Sequence, residues 1–205
     1  MKFRTSTITL TVALLFACGV FAQTGSSGRR VGKVPTESKY GLALRPTAGV
    51  VLGKAADYFD KFNERAFYGF GGSFEYRTSP HWILGANVEV IWKDMSAYHV
   101  DAIRMTAFSG SGMYRISNNP RKSAYLRGEL GRLTGNWDSN DLGTYWFGRL
   151  GLGEYTRTGG KTATRFEIYY KKAFTDDNTV DVMGNHRLDG DAEGAGLEFA
   201  IMIDL

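Results

Sequence analysis

The stretch WILGANVEVIW, residues 82–92, alternates without a break. Trp82, Leu84, Ala86, Val88, Val90 and Trp92 share one face of an extended chain, with Gly85, Asn87 and Glu89 on the other. A period of two sends successive side chains to opposite faces of a strand; a helix would scatter them. The pattern returns along the chain. YGLALRPTAGVVLG sets Leu42, Leu44, Ala48, Val50 and Leu52 against Arg45 and Thr47. AFYGFGGSFEYR sets Tyr68, Phe70, Phe74 and Tyr76 against Gly69, Gly71, Ser73, Glu75 and Arg77. A weaker segment, Val100 to Ile116, has Phe108 and Tyr114 on one parity and Met105 and Met113 on the other. AYLRGELGRL sets Leu126 and Leu130 against Arg127 and Glu129, and YWFGRLGLGEY sets Trp146, Leu150 and Leu152 against Arg149, Gly151 and Gly153. RFEIYYKKA sets Phe166, Ile168 and Tyr170 against Arg165, Glu167, Tyr169 and Lys171. GLEFAIMIDL sets Leu197, Phe199, Ile201, Ile203 and Leu205 against Glu198, Ala200, Met202 and Asp204. Eight such segments predict an all-β chain.

The links predict how the strands are joined. RTSPHW, ISNNPRKSA and TRTGGKTA are short and carry Pro, Gly and Asn at turn positions. GKAADYFDKFNER, KDMSAYH, TGNWDSNDLG and TDDNTVDVMGNHRLDGDAEG lie between them; all but KDMSAYH are longer than the turns. Alternating long and short links are the mark of an antiparallel up-and-down meander, with turns on one rim and loops on the other.

Polarity then decides which face is wet. A soluble barrel or sandwich hides its apolar side chains and shows its charges. Here the charged face also carries Gly69, Gly71, Gly85, Gly151 and Gly153. Small residues beside charges suit a narrow lumen, and the broad aliphatic and aromatic face suits lipid. The expected fold is therefore an eight-stranded antiparallel transmembrane β-barrel, which leaves no sheet edge unsatisfied in hydrocarbon. Trp82 and Trp92 are ten residues apart on the lipid face. At about 3.3 Å per residue they stand roughly 33 Å apart along the strand, and a tilt of about 40° reduces this to roughly 25 Å along the membrane normal. That is the height of a barrel's apolar band, so both rings reach an interface. Tyr68, Tyr76 and Tyr170 are expected in the same girdles. The lumen is expected to hold a paired network of Arg45, Arg127, Arg149, Arg165 and Lys171 with Glu75, Glu89, Glu129, Glu167 and Glu198.

The N-terminus carries an address. MKFR is followed by the apolar ITLTVALLFACGVFA, and Val20-Phe21-Ala22 fits a cleavage site before Gln23, the pattern of a secretory signal peptide over residues 1–22. Cys18, the only cysteine, lies inside it; LFAC also has the outline of a lipoprotein box, with Cys18 as the lipidated residue. Lys2 and Arg4 leave with the peptide, lowering the formal charge from +4 to +2. So small a charge on an exported chain does not argue for nucleic acid. Residues 23–38, polar and without periodicity, read as a flexible periplasmic leader to a barrel over residues 39–205, with Arg29, Arg30 and Lys33 as a further possible contact with cell-wall polymer or lipid head groups.

Together these features resemble the small eight-stranded outer-membrane β-barrel proteins of Gram-negative bacteria, over Tyr40 to Leu205. The resemblance implies integral residence in the outer membrane, among its lipid and lipopolysaccharide. It also implies that Leu197, Phe199, Ile201, Ile203 and Leu205 form the terminal signal for the barrel-assembly machinery, although Leu205 replaces the family's usual final aromatic.

No catalytic, cofactor or metal set is expected. His81, His99 and His186 are isolated, and GRLGLG and GFGG sit within strands rather than opening a helix. A lipid A-modifying enzyme needs a nucleophile, base and acid at the outer rim; His99 with Ser96 and Asp101, then His186 with Asp189, are the nearest sets. Neither reproduces a closely spaced His and Ser on one lipid-facing strand. The expected role is non-enzymatic: membrane integrity, or surface interaction through loops bearing Tyr58, Phe59, Trp137, Asp176, Asp177 and Asp189. The alternatives are the lipid A enzyme and a soluble exported ligand-binding barrel.

Overall fold

Eight long strands close into one barrel in a computed structural model, which describes residues 37–53, 56, 65–93, 103–117, 119, 121–137, 140–174, 180–181, 187–188 and 192–205. The strands are β1 (Tyr40–Leu52), β2 (Ala66–Arg77), β3 (Trp82–Lys93), β4 (Ile103–Arg115), β5 (Lys122–Trp137), β6 (Asn140–Arg157), β7 (Thr162–Phe174) and β10 (Ala192–Asp204). Two short strands, β8 (Val180–Asp181) and β9 (Arg187–Leu188), pair in a separate ribbon within the last link. Each barrel strand pairs antiparallel with its neighbours in sequence, and β10 returns to pair with β1. The expected eight-stranded meander is thus the observed fold.

Register preserves the alternation around the whole circumference. Val88 of β3 stands beside Gly72 of β2 and Phe108 of β4, all pointing outward, while Glu89 lies beside Gly71 and Ala107, pointing in. Leu84, Val88, Leu150, Ile168 and Ile201 are exposed outside, whereas Arg45, Glu75, Glu89, Arg149 and Glu198 are buried inside. This polarity is the reverse of a soluble barrel's, and every strand shares it. Narrowness of the lumen explains the inward glycines. A Cβ on Gly151 would lie 2.3 Å from Glu167 Oε1, and one on Gly69 2.4 Å from Thr47 Oγ1.

Three details differ from the sequence reading. TGNWDSNDLG is not a long loop: β5 and β6 run on to Trp137 and Asn140, leaving residues 138–139 between them. A register shift at Gly135/Asn136 and a left-handed Gly143 (φ 89°) bend the strands into this hairpin, and Thr134 and Thr144 share a hydroxyl hydrogen bond of 3.1 Å. Burial still alternates to Gly135, with Leu133 inside and Thr134 outside, but the outward side chain is polar, so the hydrophobic alternation fades while pairing continues. The last link contains the β8–β9 ribbon, and its final residues belong to β10. Finally, the leader's end, Glu37 and Ser38, is engaged with the barrel: Ser38 Oγ donates to the Leu205 carbonyl oxygen at 2.7 Å.

The links at 78–81, 116–121 and 158–161, together with residues 37–40 and Leu205, mark one end of the barrel, called here the turn rim. The links at 53–65, 94–102, 138–139 and 175–191 mark the other, the loop rim.

Candidate functional site

From the turn rim upward the lumen is layered. An apolar layer comes first, made by Ala43, Ile83, Met113, Tyr125, Tyr155, Ala163 and Met202. Above it lies the charged centre. A second apolar layer, with Phe67, Ile91, Ala107, Leu133, Phe147, Tyr169 and Ala173, closes the loop side. The large rings are wholly or almost wholly buried, so the interior is filled by side chains, as eight strands require.

All ten residues of the expected network point into this lumen. Glu198 of β10 is its hub. Its carboxylate accepts from Arg45 Nε and Nη2 (3.1 and 2.8 Å), Arg127 Nη1 (3.1 Å) and Arg149 Nη2 (2.7 Å). Glu129 pairs with Arg45 and Arg127, each at 3.2 Å, and accepts from Ser109 Oγ at 2.5 Å. Glu167 pairs with Arg149 at 2.6 Å and accepts from Tyr125 Oη at 3.1 Å. Two outlying pairs complete the set: Arg165 with Glu75 at 2.6 Å and Lys171 with Glu89 at 3.0 Å. The five cations and five carboxylates cancel. Neutral partners fill in, with Asn87 Oδ1 accepting from Arg127 and Thr47 Oγ1 donating to Glu89. Arg149 also lies over the Tyr169 ring, 3.7 Å from its centroid. Among the described residues, four atoms here lack a hydrogen-bond partner: Arg45 Nη1, Arg149 Nη1, Arg165 Nε and Glu75 Oε2. Removing one member of such a set exposes its partners to the full cost of a buried, uncompensated charge.

A second ionic cluster, missed in the sequence reading, sits at the turn rim. Arg77, Arg115 and Arg157 are the last residues of β2, β4 and β6, and all turn inward. Their carboxylate partners are Asp204 of β10 and Glu37, from the segment before β1. A signal was present: an arginine stands directly before each tight turn, in YRTSP, YRISNNP and TRTGGK.

Outside, the girdle residues Tyr76, Trp82, Trp92 and Tyr170 are exposed, and Tyr68 is half-buried. The turn-side belt is fuller than expected: Tyr40 lies 5.4 Å from Tyr76, and Trp82 lies 5.1 Å from Tyr114, between ring centroids. Trp146 and Phe174, paired in register, extend the loop-side belt. The lipid-facing surface also holds glycines that the sequence reading did not single out. Gly110, Gly112, Gly128 and Gly148 floor an open concavity of about 540 Å³ between Leu130, Leu150 and Lys172.

The remaining expectations fall outside the described residues. These are the signal peptide with Cys18, most of the leader including Arg29, Arg30 and Lys33, His99 with Ser96 and Asp101, His186 with Asp189, and the loop residues Tyr58, Phe59, Asp176 and Asp177. Trp137 ends β5 instead of lying in a loop. Among the described residues, no three His, Cys, Asp or Glu side chains gather as a metal site would need.

No protein-family model matches the chain, and no curated protein matches it. Solved structures do. Neisserial surface protein A superposes with a TM-score of 0.61 at 10% identity, over 83% of this chain and 99% of that one. Ail, the attachment invasion locus protein of Yersinia pestis, gives 0.45 at 10% identity over 82% and 100%. The outer membrane protein AlkL gives 0.46 at 12% identity over 88% and 97%. The chain has the fold of the small eight-stranded outer-membrane barrels.

Proposed function

We propose that this chain is an integral outer-membrane protein of a Gram-negative cell, exported by its N-terminal signal peptide, whose role is non-enzymatic. It works through its surfaces, either by supporting membrane integrity or by presenting loops to another surface. One observation carries the reading: each barrel strand exposes large apolar residues on its outer face and buries charged or polar ones in the lumen. Exposing Leu150, Leu152, Ile168 and Ile201 to water would forgo roughly 25 cal/mol for each Å² of apolar surface. Hydrocarbon removes that cost, and the return of β10 to β1 leaves no free sheet edge within it.

The turn rim then faces the periplasm and the loop rim the exterior. Lipid is the first partner. Outward-facing Arg104, Arg132 and Lys172 lie toward the loop rim, and Arg132 sits over the Trp146 ring at 5.0 Å. Cations at that height suit the phosphates of lipopolysaccharide, with acyl chains along the glycine-floored concavity below. The exposed Ile201 and Ile203 of β10, with Leu197, Phe199 and Leu205, are the face offered to the barrel-assembly machinery. The loops are the place for a surface ligand.

Fractionation tests the location: the chain is expected to resist carbonate extraction and to migrate faster on a gel unheated than boiled. Release into the carbonate supernatant contradicts it. A deletion strain tests the role. Altered detergent or antibiotic permeability, or lost adhesion, with an unchanged lipid A mass spectrum, is the expected outcome. Altered lipid A acylation on overexpression would instead establish the enzyme.

A further inference from the structure

The turn rim is built to hold an anion. Arg77, Arg115 and Arg157 arrive there from three alternate strands. The side chains of Arg115 and Arg157 are only 1% and 3% exposed. Asp204 takes part of this charge, accepting from Arg157 Nη2 at 2.5 Å and lying 3.6 Å from Arg77 Nη2. The rest converges on Glu37. Arg115 Nη1 donates to both its oxygens, at 3.0 and 2.8 Å, and Tyr155 Oη donates to one at 3.2 Å. Arg77 Nε and Arg157 Nη1 approach within 3.5 and 3.7 Å. Three guanidiniums face two carboxylates, so positive charge is in excess.

Donors are in excess as well. Arg77 Nε, Arg115 Nε, Arg157 Nε and Arg157 Nη1 are buried without a hydrogen-bond acceptor. Planar guanidinium forks match the oxygens of carboxylate and phosphate, and a phosphate offers more acceptor oxygens than the two of Glu37. Other groups at the site are already committed. Arg115 Nη2 donates to Asn119 O, its backbone carbonyl lies 2.7 Å from His81 Nδ1, and Arg77 Nη1 donates to Ser38 O.

Glu37 differs from the other carboxylates in one respect: it belongs to no strand. β1 begins its pairing at Tyr40, so Glu37 can withdraw without unpairing the barrel. We propose that this arginine cage is an oxyanion-binding site, that Glu37 is its built-in and displaceable occupant, and that the ligand displacing it carries a phosphate or carboxylate group. The Glu37–Ser38 segment then acts as a latch: with Glu37 seated it is tied to the barrel mouth, and an arriving oxyanion releases it. The cage is independent of the role assigned to the loops; only its facing the periplasm rests on the membrane reading.

The test uses the full mature chain folded in a neutral maltoside detergent, with folding checked by the heat-dependent gel shift. Inorganic phosphate is titrated calorimetrically into the parent, into Glu37→Gln, and into Glu37→Gln combined with Arg115→Gln. The cage predicts that Glu37→Gln binds phosphate about tenfold more tightly than the parent, because a competing charge is gone. Affinity should fall as salt rises and vanish in the double variant. A short-chain phosphatidylglycerol in place of phosphate separates the sources. Preference for free phosphate marks a soluble ligand and preference for the lipid marks a headgroup; either supports the cage. Equal affinity in parent and Glu37→Gln, binding that survives Arg115→Gln, or no binding of either probe overturns it. A normal gel shift with no binding would remove the cage and leave the membrane reading intact.

Discussion

Two charged regions share this lumen and are built differently. At the centre, each of the five carboxylates is rooted in a barrel strand, and the charges balance. At the turn rim the cations are rooted in strands, but half of the counter-charge comes from Glu37, outside the ladder. The central set is locked because no member can leave without distorting the barrel. The rim set is complete only while a segment outside the ladder stays in place. Permanent neutrality serves a plug, whereas a rim that keeps a cation in excess even with Glu37 seated serves a site.

Stability measurements on paired variants break or sharpen this contrast. Glu198→Leu has the largest expected effect, because it leaves Arg45, Arg127 and Arg149 without their shared partner. A loss of about 3–5 kcal/mol is expected, read by urea unfolding in lipid vesicles. Gly151→Ala comes next. Its methyl would meet Glu167 at 2.3 Å, for an expected loss of about 1–3 kcal/mol. Glu37→Gln should cost clearly less than Glu198→Leu, about 1–3 kcal/mol, since the amide keeps an acceptor oxygen and the residue lies outside the strands, although its side chain is only 13% exposed. If it costs as much as Glu198→Leu, the rim is as locked as the centre and the contrast fails. The outward Gly110→Ala meets nothing within 4 Å and should stay within about 0.5 kcal/mol of the parent. Equal losses at the two glycines would mean that the lumen is not tightly filled.

What could be read from the sequence follows the same physics. Except in β4, alternation was strong wherever one strand face met lipid and the other the lumen, and both register parity and the ten central charges were legible from it. It faded where the outer face turned polar. Thr134 and Thr144 are register partners on that face and are hydroxyls, so the upper parts of β5 and β6 lost the apolar stripe and resembled a loop. Glu37 lies before any periodic segment, and its partner Arg115 is 78 residues away, a pairing that no local pattern encodes. The outward glycines were hidden for another reason. Gly110, Gly112 and Gly128 keep the parity of their apolar neighbours without adding to their bulk, so they read as gaps in a strand rather than as the floor of a concavity.

Orientation of the apolar face underlies all of this, and Leu150→Arg tests it most directly. Among the described residues, Leu150 is the most exposed of the large apolar ones, at 70%. In a bilayer, an arginine near the midplane of the lipid face should cost about 2–4 kcal/mol in reversible unfolding and reduce assembly into vesicles. A change within about 0.5 kcal/mol, as expected of a substitution at a watery surface, would contradict the account.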